Sequence, residues 1–189
     1  LGQAISNFAE IRLIDQAYAA ELNDTRLSSS ARTAIEDARE VFQRAAQTVV
    51  IQTGVGPNPF HTPGYVPSGA STATVEERLG EVFRLSLPFA AGTAGQRVLL
   101  RLQGPQANQL SVATDEGAQV IGVDGTFYVT VPEGAGQVRF TLIASDNVSA
   151  DATVTLSATL VDPNGAATHT TQMESLVSVK SFVGTGPDG

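Results

Sequence analysis

One stretch narrows the possible folds more than any other: residues 127–165, FYVTVPEGAGQVRFTLIASDNVSADATVTLSATLVDPNG. Phe127, Val129 and Val131 alternate with Tyr128 and Thr130. Val138, Phe140 and Leu142 alternate with Arg139 and Thr141. Val154, Leu156, Ala158 and Leu160 alternate with Thr153, Thr155, Ser157 and Thr159. Successive strand side chains point to opposite faces, so each run has one apolar and one wet face. Three half-buried strands in a row predict antiparallel sheets packed face to face.

The same grammar continues on both sides. Phe83, Leu85, Leu87 and Phe89 alternate with Arg84 and Ser86, and Val98, Leu100 and Leu102 follow. Short strands are expected at Leu110–Val112 and Val120–Val123. A last, less regular strand over residues 169–182 carries Met173, Leu176, Val177, Val179 and Phe182, a spacing that suggests a bulge. About eight strands separated by turns is the pattern of a sandwich. The chain has no Cys or Trp to mark an antibody-type domain.

The N-terminal segment has a different period. Ala4, Phe8, Ile11, Ile14, Tyr18 and Leu22 form one helical stripe, with Ile5, Ala9 and Leu13 as a weaker second face. Asn23-Asp24-Thr25 breaks this helix, and Ser28 to Ser30 offer capping hydroxyls. A second helix repeats at three and four through Ala31, Ala34, Ile35, Ala38, Val41, Phe42, Ala45, Ala46 and Val49. Thr33 and Glu36 fit a capping box, with Ser30 as a rival start. Between 53 and 75 prolines and glycines crowd together, which suits neither helix nor central strand and predicts a semi-stiff linker.

The expected class is therefore α+β: an N-terminal helical hairpin followed by an antiparallel Ig-like β-sandwich of about seven to eight strands. The expected divisions are a hairpin over residues 1–52, a linker over 53–75, the sandwich over 76–183 and a flexible tail over 184–189. No signal peptide is visible ahead of Leu1, and the glycine-rich end suggests a piece excised from a longer protein.

Charge and composition exclude some functions. The formal net charge is -8. Lys180 is the only lysine. Such a chain repels nucleic acid and anionic membranes, and no apolar run approaches the ~20 residues needed to span a bilayer. Without Cys there is neither a disulfide nor a thiolate metal site. Hydrolase chemistry needs a nucleophile, a base and an orienting group. The two histidines stand in a proline-rich segment (His61) and a threonine-rich one (His169), away from any nucleophile, zinc or phosphate motif. The reading is of a chain that is not an enzyme, with no catalytic residue to name.

Acidic residues at strand ends are the candidate site. Calcium takes six to eight oxygens from carboxylates and carbonyls, and loops at one end of a sandwich can converge to supply them. Asp146 and Asp151 are the first candidates, because the loop between them has no glycine that would make them simple turn markers. Asp124 and Asp162 follow. Asp124-Gly125 and Asp162-Pro163-Asn164-Gly165 are also turn formers in their own right. Three side readings attach to single features: cleavage at Asp162-Pro163, an isopeptide on Lys180, and ice binding by the Thr153, Thr155 and Thr159 ladder. A solvated strand face explains the ladder equally well.

The pieces Val131-Pro132-Glu133-Gly134, Phe140-Thr141-Leu142, Asp146-Asn147 and Leu160-Val161-Asp162-Pro163 resemble the Calx-beta and related Ig-like modules of large bacterial secreted proteins. The likeness spans residues 129–166. It implies an extracellular sandwich, one of several in an adhesin or RTX-type protein, with calcium at loop ends in some members. Where that family carries a Glu-Gly-Asp-Glu cluster, Val148-Ser149-Ala150-Asp151-Ala152 stands here. A weaker likeness, over residues 82–102, is to sandwich domains appended to secreted peptidases.

The expected function is a non-catalytic structural or adhesive module of a bacterial secreted or surface protein, with calcium as candidate ligand. Its expected partners are neighbouring domains of the same longer chain, a protein or glycan surface ligand, and a second copy through the hairpin. Neither nucleic acid nor membrane insertion is expected. The alternatives are an accessory substrate-binding domain of a secreted hydrolase and a self-assembling filament subunit. The scarcity of exposed aromatics, with no Trp and only Tyr18, Tyr65 and Tyr128 as tyrosines, counts against a sugar-stacking platform.

Overall fold

In the computed structural model the described residues are 2–53, 72–115, 117–119, 121–146, 148, 150–162, 164–167 and 173–180, with side chains described except at 2–9, 72 and 173–176. Helix α1 (Gly2–Leu22) and helix α2 (Ser29–Ala46) form the hairpin. The N-cap of α2 is Ser28, whose side chain accepts from the Ala31 N–H at 3.2 Å; it is the first of the three serines expected to offer capping hydroxyls, and the helix starts ahead of Ser30 and Thr33. Arg32 reaches back from α2 to donate to the carbonyls of Leu22 (2.6 Å) and Asp24 (3.2 Å). A cation at the C-terminal end of α1 also suits the negative end of the helix dipole. Along the seam, Arg39 grips Asp15 with two bonds of 2.8 Å, and Gln43 adds a third at 2.9 Å. The Tyr18 and Phe42 rings meet at 5.9 Å. No residue of α2 is fully buried.

Among the described residues ten strands follow: β1 (Val50–Thr53), β2 (Thr72–Glu76), β3 (Gly80–Ser86), β4 (Gln96–Gln103), β5 (Leu110–Thr114), β6 (Gly117–Gln119), β7 (Thr126–Val131), β8 (Gln137–Ala144), β9 (Ala152–Val161) and β10 (Met173–Lys180). They form two five-stranded sheets, ordered β1-β3-β8-β5-β6 and β2-β10-β9-β4-β7. All pairs are antiparallel except β2 with β10. No helix among the described residues is long and apolar enough to cross a membrane.

The alternations read from the sequence locate the core. Phe127, Val129 and Val131 of β7 and Val154, Leu156, Ala158 and Leu160 of β9 are all buried. They face Phe83, Leu85, Phe140 and Leu142 from the other sheet. At the centre, Phe83 stacks on Phe140 at 5.4 Å, and Phe127 meets Phe140 edge-on at 5.9 Å across the two sheets.

Several expectations are corrected. Helix α2 stops at Ala46, and Val49, expected on its stripe, is a core residue leading into β1. The run Val49-Val50-Ile51 is β-branched, which favours a strand over a last helical turn. Residues 50–52, expected in the hairpin, and 53 and 72–75, expected in the linker, are sandwich strands. The strand expected at Val120–Val123 is displaced to β6. Gly117 turns the chain at φ 115 opposite Thr114, and Val123 stands fully exposed in the next turn. The ladder of β10 on β9 runs unbroken from Met173↔Ala158 to Val179↔Ala152, so the last strand has no bulge there. Arg84 and Ser86, expected on a wet face, are buried, because β3 is an inner strand flanked by β1 and β8. There the Ser86 hydroxyl donates to Gln52 of β1 at 3.2 Å.

The strand directions set the polarity of the module. Strand β1 is antiparallel to β3, which is antiparallel to β8, so β1 and β8 point the same way. Glu77, just past β2, bridges Ala144 at the end of β8 in parallel, and β2 is parallel to β10. Hence β1, β2, β8 and β10 share one direction. The chain comes into the sandwich at one end, where β1 begins, and leaves β10 at the opposite end. The hairpin meets the first of these ends. Phe42 packs edge-on against Phe89 at 6.0 Å, and the Gln47 side chain both donates to the Phe89 carbonyl (3.0 Å) and accepts from its N–H (3.3 Å).

Candidate functional site

Three of the four candidate carboxylates gather at the end where β10 leaves. Asp146 follows β8, Asp151 precedes β9, and Asp124 lies in the turn before β7, whose Gly125 carbonyl accepts from Leu102 at the end of β4 (2.9 Å). Asp162 sits after β9, at the opposite end. The sandwich thus brings Asp146, Asp151 and Asp124 to one end and separates Asp162 from them.

Each carboxylate already has a partner. Asp146 faces Arg78 at 3.5 Å, and Asp151 faces Lys180 at 2.7 Å; all four side chains are about half or more exposed. Asp124 accepts from the Thr126 hydroxyl at 2.6 Å and from the Thr126 N–H at 3.2 Å. These two bonds, the hydroxyl first, hold its carboxyl below the ordinary carboxylate range. Asp162 accepts from the N–H groups of Asn164 (2.9 Å) and Ala166 (2.8 Å). Asp124 and Asp162 therefore close their own turns, the chemistry that Asp favours before glycine. Among the described residues no group of three or more His, Asp or Glu side chains lies close enough to hold a metal ion. His61 and His169 fall outside the described residues.

The sequence reading missed Arg78. It occupies the tight bend between β2 and β3 with φ 66, a left-handed conformation uncommon outside glycine. The charged run Glu76-Glu77-Arg78 between two strand patterns was the available signal. Lys180, the residue considered for an isopeptide, is 48% exposed and paired with Asp151.

Asp124 also stands in the wall of a groove of about 650 Å³. Leu102, Leu110 and Ile121 give it apolar lining, and Gln103, Asn108, Ser111 and Gln119 bring amide and hydroxyl groups. Among the described residues its lining holds hydrogen-bonding groups, Asp124 among them, and neither an aromatic side chain nor a histidine. On the hairpin, at the other end of the molecule, Leu13, Ile14 and Val41 are 60%, 43% and 59% exposed.

No protein-family model matches the chain. No curated protein matches it either. Among solved structures it is similar to the major subunit of aggregative adherence fimbriae type I from Escherichia coli, with a TM-score of 0.36 and 17% identity, covering 71% of this chain and 95% of that one. A lipoprotein from Bacteroides thetaiotaomicron gives a TM-score of 0.39 at 11% identity, covering 70% and 78%. The SafA pilin of Salmonella enterica, in complex with the SafB chaperone, gives 0.34 at 9%, covering 72% and 55%. At these TM-scores the likenesses carry no argument, and the functional reading rests on the chain's own geometry.

Proposed function

We propose that this chain is a non-catalytic structural module set in series within a longer bacterial secreted or surface protein. The observation that carries the reading is polarity. The chain reaches the sandwich at one end and β10 leaves at the other, so the module adds its length to whatever it connects. The eight residues of β8, at ~3.4 Å each, make that length roughly 27 Å. The hairpin anchors at the first end through Phe42 and Gln47 and holds the approach of the preceding chain. The acidic, lysine-poor composition fits a solvated extracellular setting.

A substitution in the parent protein tests this. Deleting residues 1–183 should abolish its surface function, and an unrelated sandwich with termini at opposite ends and the same span should restore it. If only the native sequence restores function, the module does more than hold distance. The groove between β4, β5, β6 and the turn before β7 favours a second reading, an accessory site for a polar polymer. Binding on a glycan array that Asn108→Ala and Gln119→Ala abolish would establish it. A self-assembling filament subunit is the remaining alternative. Self-association through Leu13, Ile14 and Val41 of the hairpin is read by sedimentation at rising concentration, and a strict monomer ends that idea.

A further inference from the structure

We propose that the parallel β2–β10 pair is a mechanical clamp that keeps the module folded while the parent chain is under tension. The proposal builds on the in-series reading. When a chain is pulled from both sides, tension on the N-terminal side draws β1 and β2 backward along their axes. Tension on the C-terminal side draws β10 forward along its own. Because β2 and β10 are parallel neighbours, the two pulls slide one strand past the other. All of the bonds between Leu176↔Thr72 and Lys180↔Glu76 then carry load at once. Bonds pulled across a strand pair open one after another instead, each bearing the full force alone.

The surroundings of the pair resist this sliding. The Glu77 N–H donates to the Lys180 carbonyl at 2.9 Å and lengthens the ladder by one residue. Ala73 and Val75 of β2 and Val177 and Val179 of β10 are all buried. A one-residue slip of β2 along β10 would turn Ala73 and Val75 out of the core and their polar neighbours into it. The other edge of β10 is held by β9 from Met173 to Val179, so β10 cannot move toward relief. At its last residue, Lys180 is tied to Asp151 at 2.7 Å. Strand β1 comes earlier on the load path. It pairs with β3 over Val50↔Ser86 to Thr53↔Phe83 and is also drawn along its axis, so it yields first and passes the load to β2.

The chain has no cysteine, so a single introduced thiol can take a pulling handle. The full chain is pulled in single-molecule force spectroscopy in two geometries. One uses the two termini. The other uses Asn108→Cys and the C-terminus. Asn108 is exposed in the β4–β5 connection, at the same end as Lys180, so the second pull peels β10 across its neighbours. Forced rupture reads the unfolding rate along the pulled direction, and the termini should require about twofold more force at equal loading rate. Val75→Ala should lower the force between the termini and leave the peeling force nearly unchanged. Equal forces in the two geometries, or a Val75→Ala loss shared by both, overturn the clamp. Either result leaves the in-series reading standing, because that reading is decided by the sandwich-replacement experiment.

Discussion

Phe140→Ala is the most searching test of how the two sheets hold each other. Phe140 is 1% exposed. It lies 5.4 Å from Phe83 within its own sheet and 5.9 Å from Phe127 in the other. Truncating a buried phenylalanine costs about 3–5 kcal/mol, through lost transfer energy and the cavity left behind. Folded domains hold only about 5–15 kcal/mol in total, so this one change removes a large share. For a chain of this size the loss corresponds to a Tm drop of roughly 10 °C. In urea it should appear as a lower midpoint with an unchanged slope. The cross-sheet ring pair can be isolated with a double-mutant cycle of Phe127→Leu and Phe140→Leu. A coupling of about 0.5–1.5 kcal/mol is expected. The same cycle between Phe140→Leu and Phe42→Leu, which share no ring contact, should be additive to within about 0.5 kcal/mol. A Phe140→Ala cost below about 1.5 kcal/mol, or couplings equal in the two cycles, would refute the packing of Phe127 on Phe140 as the link between sheets.

Three other outcomes are expected. Arg39→Met should destabilise the hairpin by about 1–2 kcal/mol, seen as an earlier loss of helix in far-UV circular dichroism, because it removes a two-bonded partner from a largely covered Asp15. The carboxyls of Asp24 and Asp124 are both held below the ordinary carboxylate range, the first by the Arg26 guanidinium and the second by the Thr126 hydroxyl. A depressed folded pKa gives stability that is full above the unfolded value and is lost as pH falls through the folded one. The difference in urea midpoint between the wild type and Thr126→Val should therefore be present at neutral pH and shrink below pH 3.8. Millimolar calcium should leave the melting curve unmoved, because Asp146 and Asp151 already face Arg78 and Lys180. A rise in midpoint, abolished by Asp151→Asn, would show that the ion displaces these cations.

How much of this was legible in the sequence depended on whether a strand's surroundings were local. Strand β7 has one face on the core and one toward solvent, and in β9 the inward set is equally regular although Ser157 on its other face is also buried, so Phe127-Val129-Val131 and Val154-Leu156-Ala158-Leu160 could be read directly. Strand β3 breaks that rule. Its Arg84 and Ser86 look solvated in sequence, yet they are covered because β1 lies alongside with Gln52 opposite Arg84. Strand β1 was itself hidden. Val49 falls by chance on the periodic stripe of α2, and only pairing with residues 83–86 makes 50–53 a strand. The acidic residues divide in the same way. Asp124 and Asp162 bond their own turns, which local turn chemistry anticipates. The cation facing Asp151 is Lys180, 29 positions away, and only the pairing of β9 with β10 brings the two together.

The parallel β2–β10 pair takes this dependence furthest, and the load path depends on it. Its partners, Thr72 and Leu176 at one end and Glu76 and Lys180 at the other, are separated by most of the sandwich sequence. Local patterning carries no record of a parallel pairing, since a strand's alternation is the same whichever way its neighbour runs. Had β2 met β10 antiparallel, the same ten residues could bury the same apolar surface. Tension would then open the β2–β10 pair bond by bond instead of loading its bonds together. Composition and core would be unchanged while the response to force was lost. The mechanical character of the module therefore lies in the direction of one strand pair, and the residues to vary in probing it are Val75 and Val179 rather than the acidic loops.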